Sequence, residues 1–310
     1  MANIDILLAT YNGELYIEQQ ILSLIAQRYK NWHLYVRDDG SSDNTMNIVL
    51  KYASIDNRIT IIEDNLGGLG CIKNFLTLLN YSKSPYIIFC DQDDIWLENK
   101  LEILVSEIIK KNNNIPQLVY CNAYKYTRNG VEGIEIRPHV NDLRTFLFRV
   151  GGLQGSSSLF NSKLRSFVIE YDNDVTMHDF LTAYIAALLG EITYIDKALM
   201  LYRQHEKNVT GNRKSTYWDL GYKCLQEWKD RGIINRISYN LIKNIANQYY
   251  NYIPKERLSI LEEFYRFPQR NRIGMIISVI KNRFTLYGSI IPIILKILFL
   301  KKWCTKISWA

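Results

Sequence analysis

The sequence is poor in features that would place it in several large classes. Its five cysteines (Cys71, Cys90, Cys121, Cys224, Cys304) are odd in number and scattered, with no C-x-x-C and no zinc-like spacing. That excludes a disulfide framework and fits a reducing, cytosolic compartment. No basic stretch opens the chain, and Asp5 interrupts its first apolar residues, so no secretory signal is expected. No internal repeat is visible. Residues 266–310 contain no Asp or Glu at all.

What is present is ordinary globular material, 47% apolar and 22% charged over 310 residues. A sizeable core can form, and the length suits one catalytic domain with an appended C-terminal segment. The net charge of +7 hides a division. Residues 1–200 carry 18 Lys and Arg against 24 Asp and Glu; from residue 201 the balance is 20 against 7. The acidic part suits a metal site, and the basic part an anionic surface.

Periodicity organises the first 111 residues. Ile4 to Ala9 reads as a buried strand, broken by Thr10-Tyr11-Asn12-Gly13. Helical spacing over 14–28 sets Leu15, Ile21, Leu22, Leu24 and Ile25 on one side. His33 to Arg37 is a second strand, ending in Asp38-Asp39 and a polar turn that opens a helix near 44–54. Arg58 to Glu63 is a third strand, and Gly67 to Gly70 precedes a helix at 71–82. Tyr86 to Cys90 is a fourth, running into Asp91-Gln92-Asp93-Asp94. Strands alternating with helices predict an α/β fold with a largely parallel sheet. In such sheets ligands bind beyond the carboxyl ends of the strands. The clusters Thr10–Asn12, Asp38–Asp39 and Asp91–Asp94 all fall there.

Further along the pattern weakens. Leu118 to Tyr126 reads as a strand, Gly151 to Ser158 as a polar loop before Leu159-Phe160, and 180–189 as an apolar helix opened by Met177-His178-Asp179. Glu191 to Ile195 is a short strand, and 218–265 is helical.

Asp91, Asp93 and Asp94 place three carboxylates within four residues, where they repel one another. A hard divalent cation offsets that repulsion, since Mg²⁺ takes one or two carboxylates together with substrate phosphates. An Asp-x-Asp at a strand end turns two carboxylates to one side, as a metal bridging a diphosphate requires. Helix capping is the competing reading, and it accounts for one Asp rather than three. Asp91 and Asp93 are therefore the expected ligands, with Asp94 a cap or a support. Asp38 and Asp39 suit a base or ribose, or equally a cap; Thr10, Tyr11 and Asn12 suit stacking or hydrogen bonding to a nucleotide. Asp179, at a helix start, feels the backbone donors there and suits a general base in a dry pocket, or a plain cap. His205 suits a metal ligand or an ordinary surface residue.

The segments LLATYNGELYIEQQILSLIAQRYKNWHLYVRDDGSSDNT and FCDQDDIWLENKL resemble the opening and the metal-binding stretch of family 2 glycosyltransferases. GGLQGSSSLFN resembles their acceptor-side loop. MHDFLTAYIAALLGEITYIDKALMLYRQHEKNVTG is similar to the bacterial rhamnosyltransferase-like branch. The resemblance implies the GT-A fold over residues 1–211, with 212–310 a helical, basic extension. It implies that Thr10, Tyr11 and Asp39 contact base and ribose, and that Asp91 and Asp93 hold Mn²⁺ or Mg²⁺ and the diphosphate. It makes Asp179 the base of an inverting transfer and puts His205 on the metal or diphosphate. Partial burial would bring Asp179 towards neutrality. The implied donor is dTDP-rhamnose or a UDP-hexose. The implied acceptor is a saccharide, lipid-linked, in surface polysaccharide (O-antigen or capsule) synthesis. Two positions depart from the pattern. Phe180 stands where many relatives have Trp, and Arg37 stands where an apolar residue is common, so partial exposure of Arg37 is expected.

In 266–310, nine Lys and Arg interleave with Ile, Leu and Phe. Phe284 to Leu300 is barely long enough to span a bilayer and contains Pro292 and Lys296. An amphipathic segment lying on the anionic cytoplasmic face of the membrane fits better than a span or an ordinary core-packing helix pair. Two other functions remain open at this level. A sugar-nucleotide nucleotidyltransferase would need a Gly-rich loop with a basic residue after the first strand, where Thr-Tyr-Asn-Gly stands. A nucleic-acid-binding protein would draw on the basic pI, but the charge sits among Ile and Leu.

Overall fold

The computed structural model describes residues 2–135, 140, 142–149, 151–205, 232–286 and 288–304. Residue contacts divide the chain into two units. The first comprises residues 1–137, 153–186 and 190–204; the second comprises 138–152, 187–189 and 205–310.

The first unit opens with the expected alternation: β1 (Ile4–Thr10), α1 (Ile17–Ile25), β2 (Trp32–Asp38), α2 (Thr45–Ala53), β3 (Ile59–Ile61), α3 (Cys71–Tyr81) and β4 (Tyr86–Cys90). Then come β5 (Ile95–Trp96), α4 (Lys100–Ile108), β6 (Gln117–Thr127) and β7 (Gly130–Glu135). After α5 (Leu143–Phe146), which belongs to the second unit, come β8 (Ser158–Asn161), α6 (Ser162–Glu170), α7 (His178–Leu189) and β9 (Glu191–Arg203). The strands form one nine-stranded sheet in the order β3-β2-β1-β4-β8-β6-β9-β5, with β7 also paired to β6. Neighbours are parallel from β3 through β4; β8 runs antiparallel to both β4 and β6. Register puts Thr10 level with Asp38, and Leu8 level with Cys90. The polar clusters therefore leave the sheet at one edge.

The core is the apolar set that the periodicity picked out, including Ile6, Leu8, Leu34, Val36, Ile88 and Cys90. Two local readings needed correction. In α1 the buried face is Ile17, Gln20, Ile21 and Leu24, whereas Leu15 and Leu22 are exposed. The helix starts at Ile17, so its inward stripe follows the i, i+3, i+4, i+7 positions from there. The strand expected at 191–195 runs on to Arg203. Its register against β6 jumps from Cys121↔Ile195 to Asn122↔Ala198, so a bulge absorbs the polar pair Asp196-Lys197 that looked like an end. Asp5 is buried, and its carboxylate accepts from the Ser82 and Ser84 hydroxyls and the Lys83 and Ser84 N–H groups, closing the turn before β4.

The second unit holds β10 (Gly232–Asn235), α8 (Arg236–Gln248), α9 (Lys255–Arg266), α10 (Arg272–Asn282), α11 (Ile291–Phe299) and β11 (Lys301–Cys304). β10 and β11 pair in parallel. Phe148 packs against Phe264, Phe267 and Phe284, with ring centroids 5.0–5.4 Å apart. The first third of the helical stretch expected at 218–265 lies outside the described residues; α8 and α9 occupy much of the remainder. Among the described residues, no helix is long and apolar enough to cross a membrane.

Candidate active site

The loops after β1 and β2 are laced together by side chains. Thr10 Oγ1 donates to Asp38 Oδ1 at 2.8 Å. Asp38 also accepts from the N–H groups of Gly40 and Ser41 and from the Ser41 hydroxyl, so it closes its own turn. Asn12 N–H donates to Ser41 Oγ, and Asn12 Oδ1 accepts from Ser42 N–H at 2.9 Å. Asn12 has φ +46°, a left-handed conformation that Asn tolerates better than most residues. Gly13 N–H donates to Thr45 Oγ1 at 2.8 Å.

Gln92, the second residue of the Asp run, ties that run to the first loop. Its amide oxygen accepts from Tyr11 N–H and its amide nitrogen donates to Tyr11 C=O, both at 2.9 Å. A Cβ on Gly13 would sit 2.3 Å from Gln92 Oε1 and 2.6 Å from its Cδ, so this arrangement needs glycine at 13. The Tyr11 ring is left 56% exposed, open to a planar ligand.

Asp39 faces a different partner set. Its two oxygens accept from Leu69 N–H at 2.7 Å and Gly70 N–H at 2.8 Å, and Arg37 Nη1 donates to it at 3.2 Å. Gly70 holds φ +79°, a conformation costly for other residues. Arg37 contradicts the expected partial exposure: it is 2% exposed. Its five N–H donors reach Asp64 twice, Asp39, Asn74 Oδ1 and the Gly67 carbonyl. A polar residue at this strand end is buried because each donor is satisfied. These partners hold its guanidinium above the usual range, chiefly through Asp64.

Behind the Asp91–Asp94 turn lies a buried polar set. Asp94 is fully buried; its carboxylate accepts from Ser156 Oγ at 3.0 Å and from Arg203 N–H at 3.2 Å. Burial, with the charges of Asp93 and Asp91, pushes its pKa well above the carboxylate range. Lys100, also fully buried, donates to the Ser156 carbonyl at 2.5 Å and lies 3.6 Å from the centroid of the Trp96 ring. Burial lowers its pKa to about 8. Arg203 braces the turn, its Nε donating to the Asp93 carbonyl at 2.8 Å and its Nη2 to Gln19 at 2.6 Å.

Asp179 lies in the first turn of α7, half-buried, with Oδ1 accepting from Phe180 N–H at 2.9 Å. It lines a recess with Phe89, Leu118, Leu153, Phe160, Ser158 and Thr182 among the other walls. His178 beneath it is buried between Phe75 and Phe89, at 4.1 and 4.8 Å. Burial lowers its pKa to about 3, so it stays neutral and serves as an aromatic floor.

Cys71 stands at the start of α3. Its side chain still touches solvent, yet the surrounding protein pushes its thiol up to about 12. The negative charges of Asp91, Asp179, Asp39 and Asp93 add to that effect, so each of these acids lies near enough to act on the Cys71 thiol. Among the described residues, no three His, Cys, Asp or Glu side chains come together as a metal-holding group, so His205 does not complete a trio with Asp91 and Asp93. Two carboxylates with open positions left for substrate oxygens still fit Mg²⁺ or Mn²⁺, which are oxygen-seeking ions.

Of the expected site residues, Thr10 ends β1 with Tyr11 and Asn12 directly after it, and Asp39, Asp91, Asp93 and Asp179 each act on the Cys71 thiol. Sequence reasoning missed Gln92, Asp64, Arg203 and Lys100. Lys100 left a signal, a cation in register with Leu104 and Ile108 on the buried face of α4. The partners of Arg37 and Arg203 lie across the fold and left none.

Residues 5–166 match the model of the family described as Glycosyl transferase family 2. The dTDP-rhamnosyl transferase RfbG of Shigella flexneri is 32% identical over 232 residues, covering 69% of this chain and 78% of that protein. The UDP-Glc:alpha-D-GlcNAc-diphosphoundecaprenol beta-1,3-glucosyltransferase WfgD of Escherichia coli is 38% identical over 136 residues, 44% of this chain and 51% of that one. The mannosyltransferase PcManGT of Pyrobaculum calidifontis, solved with GDP-Man and Mn²⁺, superposes with a TM-score of 0.53 at 14% identity, over 96% of this chain and 87% of that one. That likeness concerns the fold.

Proposed function

The chain belongs to glycosyl transferase family 2, and on that premise we propose that it is a metal-dependent, inverting transferase moving a sugar from a nucleotide donor to a lipid-linked saccharide. The observation that supports this reading is that Gln92 of the Asp run is bonded to the Tyr11 loop and Asp39 to the backbone just before Cys71, whose thiol Asp91, Asp93 and Asp179 also act on. The donor is dTDP-rhamnose, with a UDP-hexose the alternative; the RfbG likeness favours the first. The product feeds surface polysaccharide, O-antigen or capsule. WfgD, whose acceptor is a diphosphoundecaprenol-linked sugar, supports the lipid-linked acceptor. The catalytic part spans 1–211, and the basic part, 212–310, contacts the anionic cytoplasmic face of the membrane peripherally.

In this mechanism Tyr11 stacks on the base, while Thr10, Asn12 and Asp39 hold the nucleoside. Asp91 and Asp93 are the residues that would hold the cation. His205 stays a candidate for the diphosphate or metal by its chain position alone, two residues past β9. A bound Mn²⁺ or Mg²⁺ supplies positive charge against the charge growing on the departing diphosphate. Asp179 accepts the acceptor hydroxyl's proton as that oxygen attacks the anomeric carbon. The new C–O bond forms as the bond to diphosphate breaks on the opposite face, so the configuration inverts. Phe89, Leu118, Leu153 and Phe160 beside Asp179 offer a competing water few polar partners.

The test is a panel of nucleotide sugars assayed for hydrolysis and transfer with Mn²⁺, with Mg²⁺ and with excess EDTA. Asp91→Asn and Asp93→Asn should abolish metal-stimulated turnover. Asp179→Asn should lower transfer by roughly 10²–10⁴-fold, the range of general base catalysis. Full activity in EDTA would remove the metal, and near-normal turnover of Asp179→Asn would remove the base.

A further inference from the structure

The C-terminal helices bury one apolar face and expose another. In α10, Met275, Ser278 and Val279 are buried, yet Ile273, Ile277 and Ile280 are 70%, 58% and 56% exposed. Those three stand at i, i+4 and i+7, one stripe of about 60° at 100° per residue. In α11, Ile293 and Ile297 face inward, while Ile291, Leu295, Leu298 and Phe299 are 49–62% exposed. They repeat the spacing as i, i+4, i+7 and i+8. Single exposed apolar residues need no explanation, but two ordered stripes do. The helices are joined, since the Arg272 guanidinium donates to the carbonyls of Ile297, Leu298 and Leu300 at the end of α11.

Charge selects the occupant. On α10, Arg272 and Lys281 flank the stripe, about 110° to one side of its centre and about 70° to the other. Lys281, Arg283, Lys301 and Lys302 are exposed, and residues 266–310 hold nine basic residues and no acidic one. A second copy pairing by this surface would set like charges against each other. Nucleic acid would meet the cations but not the Ile and Leu stripes. An anionic bilayer satisfies both, taking apolar side chains below the headgroups and cations at them. Neither helix can cross: 11 and 9 residues rise about 16 and 14 Å, half of a hydrocarbon core of roughly 30 Å.

We propose that the outer stripes of α10 and α11 are the surface by which this protein lies on an anionic membrane. The proposal deepens the peripheral contact read above and names its residues. Its test is flotation of the full chain with phosphatidylglycerol-rich and with pure phosphatidylcholine vesicles, at low salt and at about 0.5 M NaCl. Partition to the anionic vesicles should exceed that to phosphatidylcholine at least tenfold and fall in high salt. Ile277→Asp with Leu295→Asp, both at exposed sites, should lower it about tenfold with thermal unfolding unchanged. Lys281→Glu with Lys302→Glu should lower it while leaving the stripes intact. No binding by the parent chain, equal binding to both vesicles, or a double Asp variant that binds normally would each overturn the surface. So would a concentration-dependent dimer, lost in the Asp variant, without vesicle binding. Donor hydrolysis in solution separates the two readings. Hydrolysis without vesicle binding sinks the surface alone; vesicle binding without hydrolysis of any donor sinks the transferase reading alone.

Discussion

Replacing Arg37 by Met should destabilise the first unit by about 3 kcal/mol, the lower end of the range for breaking a buried ion pair. Arg37 is 2% exposed, and the Asp39 and Asp64 side chains are 10% exposed, so water screens these contacts little. Met fills similar space and removes all five donors. Asp64 then keeps backbone donors alone, Leu66 N–H at 3.1 Å and its own N–H. Asp39 keeps Leu69 and Gly70 N–H, and the Gly67 carbonyl loses its donor. The surviving backbone donors are why the lower end applies. For a unit of roughly 150–250 residues, each kcal/mol moves Tm by about 2–4 °C, so calorimetry should show a fall of about 6–12 °C. Arg37→Lys keeps a charge but not the fork, and should recover less than half of the loss. The pH dependence has a definite sign. Hydrogen bonding to Arg37 holds the Asp64 carboxyl below its ordinary value of 3.8. A depressed carboxylate stabilises above its unfolded pKa and loses that contribution as pH falls through the folded one. The gap between parent and Arg37→Met should therefore hold down to about pH 5 and narrow as pH falls below about 4. A fall in Tm under about 2 °C, or a gap that widens in acid, would refute the assignment of Arg37 as the buried tie between β2 and the 64–70 loop.

Three further outcomes are expected. Gly13→Ala should displace the Gln92 amide, lowering donor kcat/KM about tenfold, on the scale of one or two lost hydrogen bonds; in a Gln92→Ala background it should add little, and an undiminished effect there would disprove the coupling. Arg203→Met frees the Asp93 carbonyl and should raise the Mn²⁺ concentration for half-maximal activity by roughly 10-fold, as loss of a supporting contact commonly does; an unchanged metal titration would make Arg203 a packing residue. Lys100 has its pKa lowered from 10.5 to about 8, so above that pH the unfolded chain binds the extra proton and stability gains; Tm measured at pH 7 and 9.5 should show the parent gaining on Lys100→Met, and a shift the other way would contradict the burial of its ammonium.

The elements of the first 111 residues were legible because their signals are local. Apolar runs of strand length ending in Asp or Thr fixed β1, β2 and β4 and the edge where they stop. The long β9 was not legible, because Asp196 and Lys197 look like a terminus until β6 is beside them to accept a bulge. Nor was the polar lining of the site. Gln92 is unremarkable between two aspartates, and only the fold sets its amide against Tyr11, 81 residues away.

The sequence by itself determined the acids, their strand-end positions and the alternation that carries them, since each depends on near neighbours along the chain. It also determined that the C-terminal stretch is both basic and apolar. Tertiary structure alone decided that Asp94 is buried and that Asp39, Asp91, Asp93 and Asp179 all act on the Cys71 thiol. It also buried Arg37 rather than exposing it, and turned a second apolar stripe of α10 and α11 outward. Burial and charge proximity depend on which segments pack together, and packing brings together residues that local spacing leaves far apart.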